Sequence, residues 1–395
     1  MVLNGMLFLT GVVLVLMTLP LLIELLFLTA AALVPEARLQ DKETGLQLPS
    51  LTVLVPAHNE EALIGRCIKS ALDSTDSAVE VLVVAHNCTD ATAAEAEAAG
   101  ARVLVLSDAG QIGKGCALSH GFAAILAGSS QAVLVVDADS LVDPGLITTV
   151  RRRFQMGARA LQSRYEVFNS QDSPRTKLMT LAFHAMNVIR PRGRARLGLS
   201  AGILGNGFAL HRDVLTRIPY NAHSIVEDLE YHLALVRAGI RVKFIDTTAV
   251  RGEMPVTVKG ARAQRARWEG GRLRMMRRWA PDLIADVLRG RVRAIEPLFD
   301  LLALPIASEV ILLLVLACLP VPWFRLYALA AFLVLVAHIA AVAVEGPGLW
   351  GTTKALSTVP TYILWKLWIF PEIWRKSRAN AAWVRTSRES PADGE

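Results

Sequence analysis

The residues able to do chemistry in this chain are carboxylates set after apolar runs and one cationic, aromatic-bearing segment. Asp137-Ala-Asp139 ends one apolar run and Asp90 follows another. Glu227-Asp228 comes after Val226, and Gln264-Arg-Ala-Arg-Trp268 lies just ahead of a hydrophobic tail. An Asp-X-Asp pair offers hard oxygens to Mg²⁺ or Mn²⁺, which favour carboxylate and phosphate ligands. One acid can take the metal while the other orients it or reaches a ribose. An acid opening a helix is held by the helix dipole and can accept the proton of an attacking hydroxyl. Gln264 and Arg267 share one side of a helix. The Arg267 fork suits a diphosphate, and Trp268 has a flat face on which a sugar ring can stack. Each group also has an ordinary explanation. The Asp pair can be a solvated turn, Glu227-Asp228 plain N-terminal helix charge, and the Arg-Trp segment an interfacial helix with a snorkelling Arg. Two acids flanking a glycosidic bond would make a hydrolase, but that chemistry needs none of the strand-end features.

These side chains need a frame. Short β-branched runs at 51–55, 79–85, 102–106 and 132–136 predict strands, and the stretches 60–72, 89–99 and 114–126 between them predict helices. That alternation predicts a Rossmann-like, mostly parallel sheet covered on both faces, with ligands at the carboxyl ends of the strands. The polar groups follow the strands accordingly, at Pro56-Ala-His-Asn-Glu60, His86 to Asp90 and Asp137 to Asp139. Further along, 160–168 and 241–245 read as strands, 177–189 and 227–238 as helices, and Gly205 to His211 as a loop entering a strand.

The 53% apolar content of the 395 residues is high for a soluble protein, which places part of the chain in lipid. Leu7 to Val34, interrupted by Glu24, is long enough to span a bilayer and lacks the basic start of a signal peptide. Leu301 to Leu319 and Trp323 to Val344 read as two more spans. Leu356 to Trp374, broken by Pro360, Lys366 and Pro371, reads as a helix at the headgroup level. The net charge of +7 concentrates between Arg262 and Arg293, where ten arginines face Glu269, Asp282 and Asp286. No nucleic-acid motif accompanies them, so the stretch reads as the cytoplasmic flank of a span, drawn to anionic membrane lipids. The divisions expected are an anchor at 1–34, a catalytic domain at 50–255, a basic interfacial region at 256–297, two spans at 298–345, and an interfacial or re-entrant segment with a basic tail at 346–395. The protein is expected in the inner (cytoplasmic) membrane with its catalytic domain cytoplasmic. Cys67, Cys88, Cys116 and Cys318 have no metal-ligand spacing and read as small buried hydrophobes.

Taken together and in order, these motifs resemble the signature of membrane-embedded family 2 glycosyltransferases, the cellulose, hyaluronan and poly-N-acetylglucosamine synthases among them. The resemblance implies a GT-A fold, Mg²⁺ or Mn²⁺, and inverting transfer of a hexose or N-acetylhexosamine from a UDP-sugar to a glycan or lipid-linked acceptor. By motif, Pro56, Ala57, His58 and Glu60 would contact the nucleotide, Asp90 the uracil and Lys114 the nucleotide, while Asp137 and Asp139 would hold ribose, diphosphate and metal. Asp228 would be the base, with Glu227 as the alternative. Gln264, Arg267 and Trp268 would hold diphosphate and acceptor, with Gly205, Asn206, Gly207 and Phe208 near the acceptor. The chain departs from the pattern at Val226, where a Thr is usual, and in having few spans after the catalytic region. The latter favours a single addition to a lipid, or polymerisation with other synthase or export subunits. An NAD-binding oxidoreductase would need Gly-X-Gly-X-X-Gly after the first strand, where Pro56 to Glu60 stands instead. A silent subunit that binds nucleotide sugar or glycan is the remaining alternative.

Overall fold

Strand and helix boundaries follow the apolar periodicity closely. The computed structural model describes residues 2–35, 47–75, 77–108, 110, 112–222, 224–254, 258–346 and 348–378. The expected basic tail beyond 378 and most of the linker at 35–50 lie outside them. In chain order come α1 (Val2–Ala32), β1 (Leu51–Ala57), α2 (Ile64–Leu72), β2 (Glu80–His86), α3 (Thr92–Ala98), β3 (Arg102–Leu106), α4 (Lys114–Ala127) and β4 (Ala132–Val135). Next are β5 (Ser140–Val142), α5 (Leu146–Gln155), β6 (Ala160–Val167), α6 (Pro174–His184), a π-helical turn (Ala185–Ile189) and α7 (Arg190–Arg196). Then follow β7 (Phe208–His211), α8 (Arg212–Arg217), α9 (Glu227–Arg237), β8 (Val242–Gly252) and α10 (Val258–Leu288). The chain closes with α11 (Ile295–Leu302), α12 (Ile306–Cys318), α13 (Pro322–Glu345), α14 (Gly348–Leu356) and α15 (Val359–Arg378).

Two compact units result, one of helices (1–35, 184–199, 265–379) and one built on the sheet (36–183, 200–264, 380–395). Residues 184–199 group with the helical unit, where Arg190 and Arg194 find their carboxylates.

In the sheet unit the strand order is β3-β2-β1-β4-β7-β6-β8-β5. The half formed by β1 to β4 is parallel, as the βαβ alternation requires. The other half is mixed: β7 runs antiparallel to β4 and β6, and β5 antiparallel to β8. β6 and β8 pair in parallel, so four of the seven pairings are parallel and the sheet is mostly parallel, with β7 and β5 as its antiparallel members. β5 leaves β4 through a tight turn and pairs not with β4 but with β8, at the far edge of the sheet. Val53, Val55, Val81 and Leu134 pack on one face and Leu54, Leu82, Val133 and Phe208 on the other, all buried.

In the helical unit, α1 and α13 are long and apolar enough to cross a membrane. The expected span 301–319 is not one helix. Residues 292–302 and 306–318 are bent by 79°, because Pro305 cannot donate to the ladder and disfavours a helical Leu304 before it. Glu24, the charge inside the first apolar run, is 5% exposed and meets Arg190 and Arg194 at 2.5 Å each. Asp300 accepts from the same two guanidinium groups at 2.8 and 2.9 Å, and Glu296 lies 2.5 Å from Arg194. These pairs explain why α7 can carry buried arginines. Gly193 permits the approach, since a Cβ there would lie 2.2 Å from the Leu28 carbonyl oxygen.

Candidate active site

The strand ends build the site. β1 and β2 are neighbours in register, Ala57 opposite Ala85, and both end in Ala-His-Asn. Asn59 and Asn87 take φ of 55° and 53°, a left-handed turn that Asn tolerates better than other side chains. Each Asn then ties its loop to the next strand's exit. Asn59 Oδ1 accepts from Thr89 N at 2.7 Å, and Asn87 exchanges bonds with the backbone of Asp108. His58 Nδ1 donates to the His86 carbonyl at 2.8 Å, Ala57 is buried, and Pro56 is half-buried.

The Asp90 carboxylate accepts from the backbone and hydroxyl of Thr92 and from Glu61 N. The Glu60 amide donates to Thr92 Oγ1 at 2.7 Å. Asp90 thus pins the β1 and β2 loops together at the start of α3, a geometric role its motif did not announce.

At the end of β4 the chain turns tightly, with Ser140 N donating to Asp137 O at 3.0 Å. Lys114, first residue of α4, places Nζ 2.5 Å from Asp137 Oδ1, 2.6 Å from the Gly205 carbonyl and 4.0 Å from Glu227 Oε1. Asp139 instead accepts from Ser140 Oγ at 2.9 Å. The two acids of the pair thus differ: one faces a lysine and the other a hydroxyl. Glu227, 9% exposed, and half-buried Asp228 open α9 at the same place. Asp228 Oδ1 accepts from Leu229 N, and a Cβ at Gly205 would come 3.1 Å from Asp228 Oδ2. Burial pushes the Glu227 carboxyl up to about 7, with Lys114 pulling it down and Asp228 pushing it further up. Burial likewise raises Asp228, opposed by the Leu229 amide and Lys114. Burial disfavours the Lys114 charge, but Asp137 and Glu227 outweigh it and its pKa is raised.

The sequence pattern missed the interior of this loop cluster. Asn206 and Gln162 are both 0% exposed. Asn206 Oδ1 accepts from Asp137 N at 3.1 Å, and its Nδ2 donates to Ser140 Oγ at 2.8 Å. Gln162 Nε2 donates to Asn206 O at 2.7 Å while its Oε1 accepts from Leu204 N at 2.9 Å. These bonds satisfy amides that would otherwise be buried unpaired. Of the residues expected near the acceptor, Asn206 gives its amide to the Asp137–Ser140 turn, and Phe208, 1% exposed, packs in the core. Gly207 has φ of 70° and a Cβ there would meet Ser163 Oγ at 2.4 Å, so it too is framework. A polar side chain inside a Gly-X-Gly loop that leads into a buried strand was the available signal for an inward amide.

Lys114, Asp137, Asp139, Gly205, Glu227 and Asp228 come together in the sheet unit. Gln264 belongs to that unit, whereas Arg267 and Trp268 belong to the helical one. Among the described residues no group of three or more His, Cys, Asp or Glu has the arrangement of a complete metal site. The donor set still fits a hard divalent cation that keeps open positions for phosphate oxygens. Asp139 supplies the carboxylate not bound to lysine, with Asp137 beside it.

The profile described as "Glycosyltransferase like family 2" matches residues 49–271. The chain is 24% identical over 247 residues to the "Probable glycosyltransferase YdaM" of Bacillus subtilis (strain 168), covering 58% of this chain and 57% of that protein. It is 29% identical over 253 residues to the β-monoglucosyldiacylglycerol synthase of Nostoc sp. (strain PCC 7120), covering 62% and 53%. The chain thus spans little more than half the length of these relatives. Among solved structures, the mannosyltransferase PcManGT from Pyrobaculum calidifontis, in complex with GDP-Man and Mn²⁺, superposes with a TM-score of 0.55 at 18% identity. That match covers 91% of this chain and 99% of the other and shows a shared GT-A-like fold. With the family profile matching more than half of its length, the chain belongs to glycosyltransferase family 2.

Proposed function

We propose that the protein is an inverting, membrane-bound glycosyltransferase that moves a hexose or N-acetylhexosamine from a UDP-sugar to a lipid-linked or polysaccharide acceptor in cell-envelope or exopolysaccharide synthesis. The observation that carries this reading is the meeting of Asp137, Asp139, Lys114, Glu227 and Asp228 at the strand ends of a family 2 chain. Asp139, with Asp137, would hold Mg²⁺ or Mn²⁺, which when bound neutralises charge on the departing diphosphate. Asp228 takes the proton of the attacking hydroxyl. It is the less buried of the two acids, whereas Glu227 lies toward Lys114. Lys114 holds Asp137 and the Gly205 carbonyl in place and brings a positive charge to the donor end. His58, Glu60 and Asp90 flank the nucleotide at the β1 and β2 exits. Gln264, Arg267 and Trp268 serve the diphosphate and the acceptor.

The lipid acceptor is favoured over the polymer by two features. A relative of similar sequence is named for a diacylglycerol product, and the two or three helices of spanning character among the described residues are too few to enclose a polymer channel alone. The apolar length of α1 and α13 supports a place in the inner membrane, and the arginines of α10 support a cytoplasmic catalytic domain. The test incubates membranes containing the protein with labelled UDP-sugars and GDP-mannose, then separates lipid and polymer fractions. Label entering the lipid fraction from one UDP-sugar is expected. Label from GDP-mannose alone would overturn the donor assignment, and label confined to polymer would overturn the acceptor.

A further inference from the structure

Lys366 interrupts an otherwise apolar and aromatic stretch, and the catalytic reading leaves it without a task. In the structure it is 4% exposed and its Nζ lies 3.1 Å from Glu269 Oε1. Glu269 directly follows Trp268 on α10. The pair is one rung of a longer contact. Arg265 lies over the Tyr362 ring at 5.9 Å, and Arg277 over the Trp374 ring at 4.8 Å while donating to Ser377 Oγ at 3.1 Å. Moving four and then eight residues along α10 moves the partner along α15 by the same steps in the same direction. The two helices therefore run parallel in a fixed register. Ala266, Ile369 and Ile373 are buried together in the seam, with Trp365 packed against them.

At about 100° per residue, Arg265, Glu269 and Arg277 spread over about 120° of α10, Arg267 falls roughly opposite them, and Trp268 lies on the flank about 60° beyond Arg265. α15 thus backs the side of the helix that the acceptor segment does not use. The outer side of α15 carries Leu364, Leu367 and Trp368, exposed by 67, 53 and 63%.

We propose that Lys366 is a positioning residue for the transfer reaction: through Glu269 it locks α15 against the back of α10 and so fixes the orientation of Arg267 and Trp268. The proposal rests on the transferase reading and adds a residue outside the matched family region, which ends at 271. A seam of apolar residues alone tolerates sliding and rotation. A buried ion pair penalises both, since a shift of one residue leaves the Lys366 ammonium buried without its carboxylate and Glu269 with only Arg265 of its own helix, at 3.8 Å. A lost register of about 1 Å at a binding residue is enough to cost on the order of a hundredfold in rate.

The test uses the full chain in vesicles of the membrane lipid extract that accepts label, with the UDP-sugar found active. Lys366→Met, Glu269→Lys, and the swapped pair Glu269→Lys/Lys366→Glu are compared with wild type for UDP-binding stoichiometry, kcat and acceptor KM. The single variants should bind one UDP per chain within about threefold of the wild-type affinity, while kcat/KM for the acceptor falls roughly tenfold to a hundredfold. The swap should recover most of that loss. Stoichiometric UDP binding separates this result from a misfolded fraction, which would lower kcat and binding together and leave KM unchanged. Lys366→Met with wild-type kcat and acceptor KM, or a swap no better than either single variant, overturns the proposal while leaving the transferase reading intact. A wild-type protein that transfers no sugar overturns both.

Discussion

The pH dependence of transfer tests the division of labour between Glu227 and Asp228. Burial holds the Glu227 carboxyl up at about 7, and Asp228 is raised beside it. The two sit next to each other at the start of α9 with Lys114 Nζ 4.0 Å from Glu227, so the proton near neutrality belongs to the pair. For an acid pair, protonation removes the base, so the rate falls as pH drops through the apparent pKa. With Glu227 raised to about 7 and Asp228 raised beside it, the pair loses its proton as pH rises through neutrality. The quantity kcat/KM should therefore rise between about pH 6 and about pH 8, as measured by initial rates of UDP release at saturating metal. Glu227→Gln removes the group with the raised pKa and the like charge beside Asp228. Transfer should persist and the rising limb should move to lower pH. Asp228→Asn keeps the shape and loses proton acceptance, which costs about 10²- to 10⁴-fold in kcat. Nucleotide affinity by calorimetry should stay within a few-fold. A flat profile between pH 6 and 8, or a limb unmoved by Glu227→Gln, would refute the paired-acid reasoning. Near-normal turnover by Asp228→Asn would move the base to Glu227.

Three further perturbations address the metal, the helical unit and the loop framework. Asp139→Ala removes a hard oxygen ligand and should lower turnover by orders of magnitude, and weaken Mn²⁺ binding followed by electron paramagnetic resonance; full turnover in excess EDTA would remove the metal from the reading. Glu24→Leu leaves Arg190 and Arg194 short of a carboxylate at nearly complete burial, a loss of about 3–5 kcal/mol. It should appear as a lowered unfolding temperature in detergent, and an unchanged one would mean that Asp300 and Glu296 suffice. Gly207→Ala places a Cβ against Ser163 at a φ of 70° and should cost about 1–3 kcal/mol of stability, visible in thermal unfolding.

What the sequence made legible depended on whether a residue's local neighbours determine its place. β1 to β4 follow from short β-branched runs between helices, because a parallel strand buried on both faces must be apolar along its length. The acids at 137, 139, 227 and 228 could be placed at strand and helix ends for the same reason. The mixed half was not legible. Whether β5 returns beside β8, or β7 inserts between β4 and β6, is fixed by partners distant in the chain, and a four-residue strand has too few residues to show a period.

Charged residues in apolar stretches were the least interpretable locally, and for Glu24 and Lys366 the structure supplies a partner distant in the chain. Glu24 waits on Arg190 and Arg194 from an insertion between β6 and β7. Lys366 waits on Glu269 from α10. Asn206 shows the same rule inside the sheet unit. Read as a surface residue of a Gly-rich loop, it looked free for an acceptor. Buried, it must satisfy its own amide, and the partners available are the Asp137 backbone and Ser140. A polar side chain in an apolar or glycine-rich setting is thus evidence of a specific distant contact, because leaving its groups unpaired costs more than almost any single packing interaction returns. The same reasoning makes Asn206 and Gln162 necessary to the geometry of the acid pair: the turn that presents Asp139 is held by side chains that no donor or acceptor needs to touch.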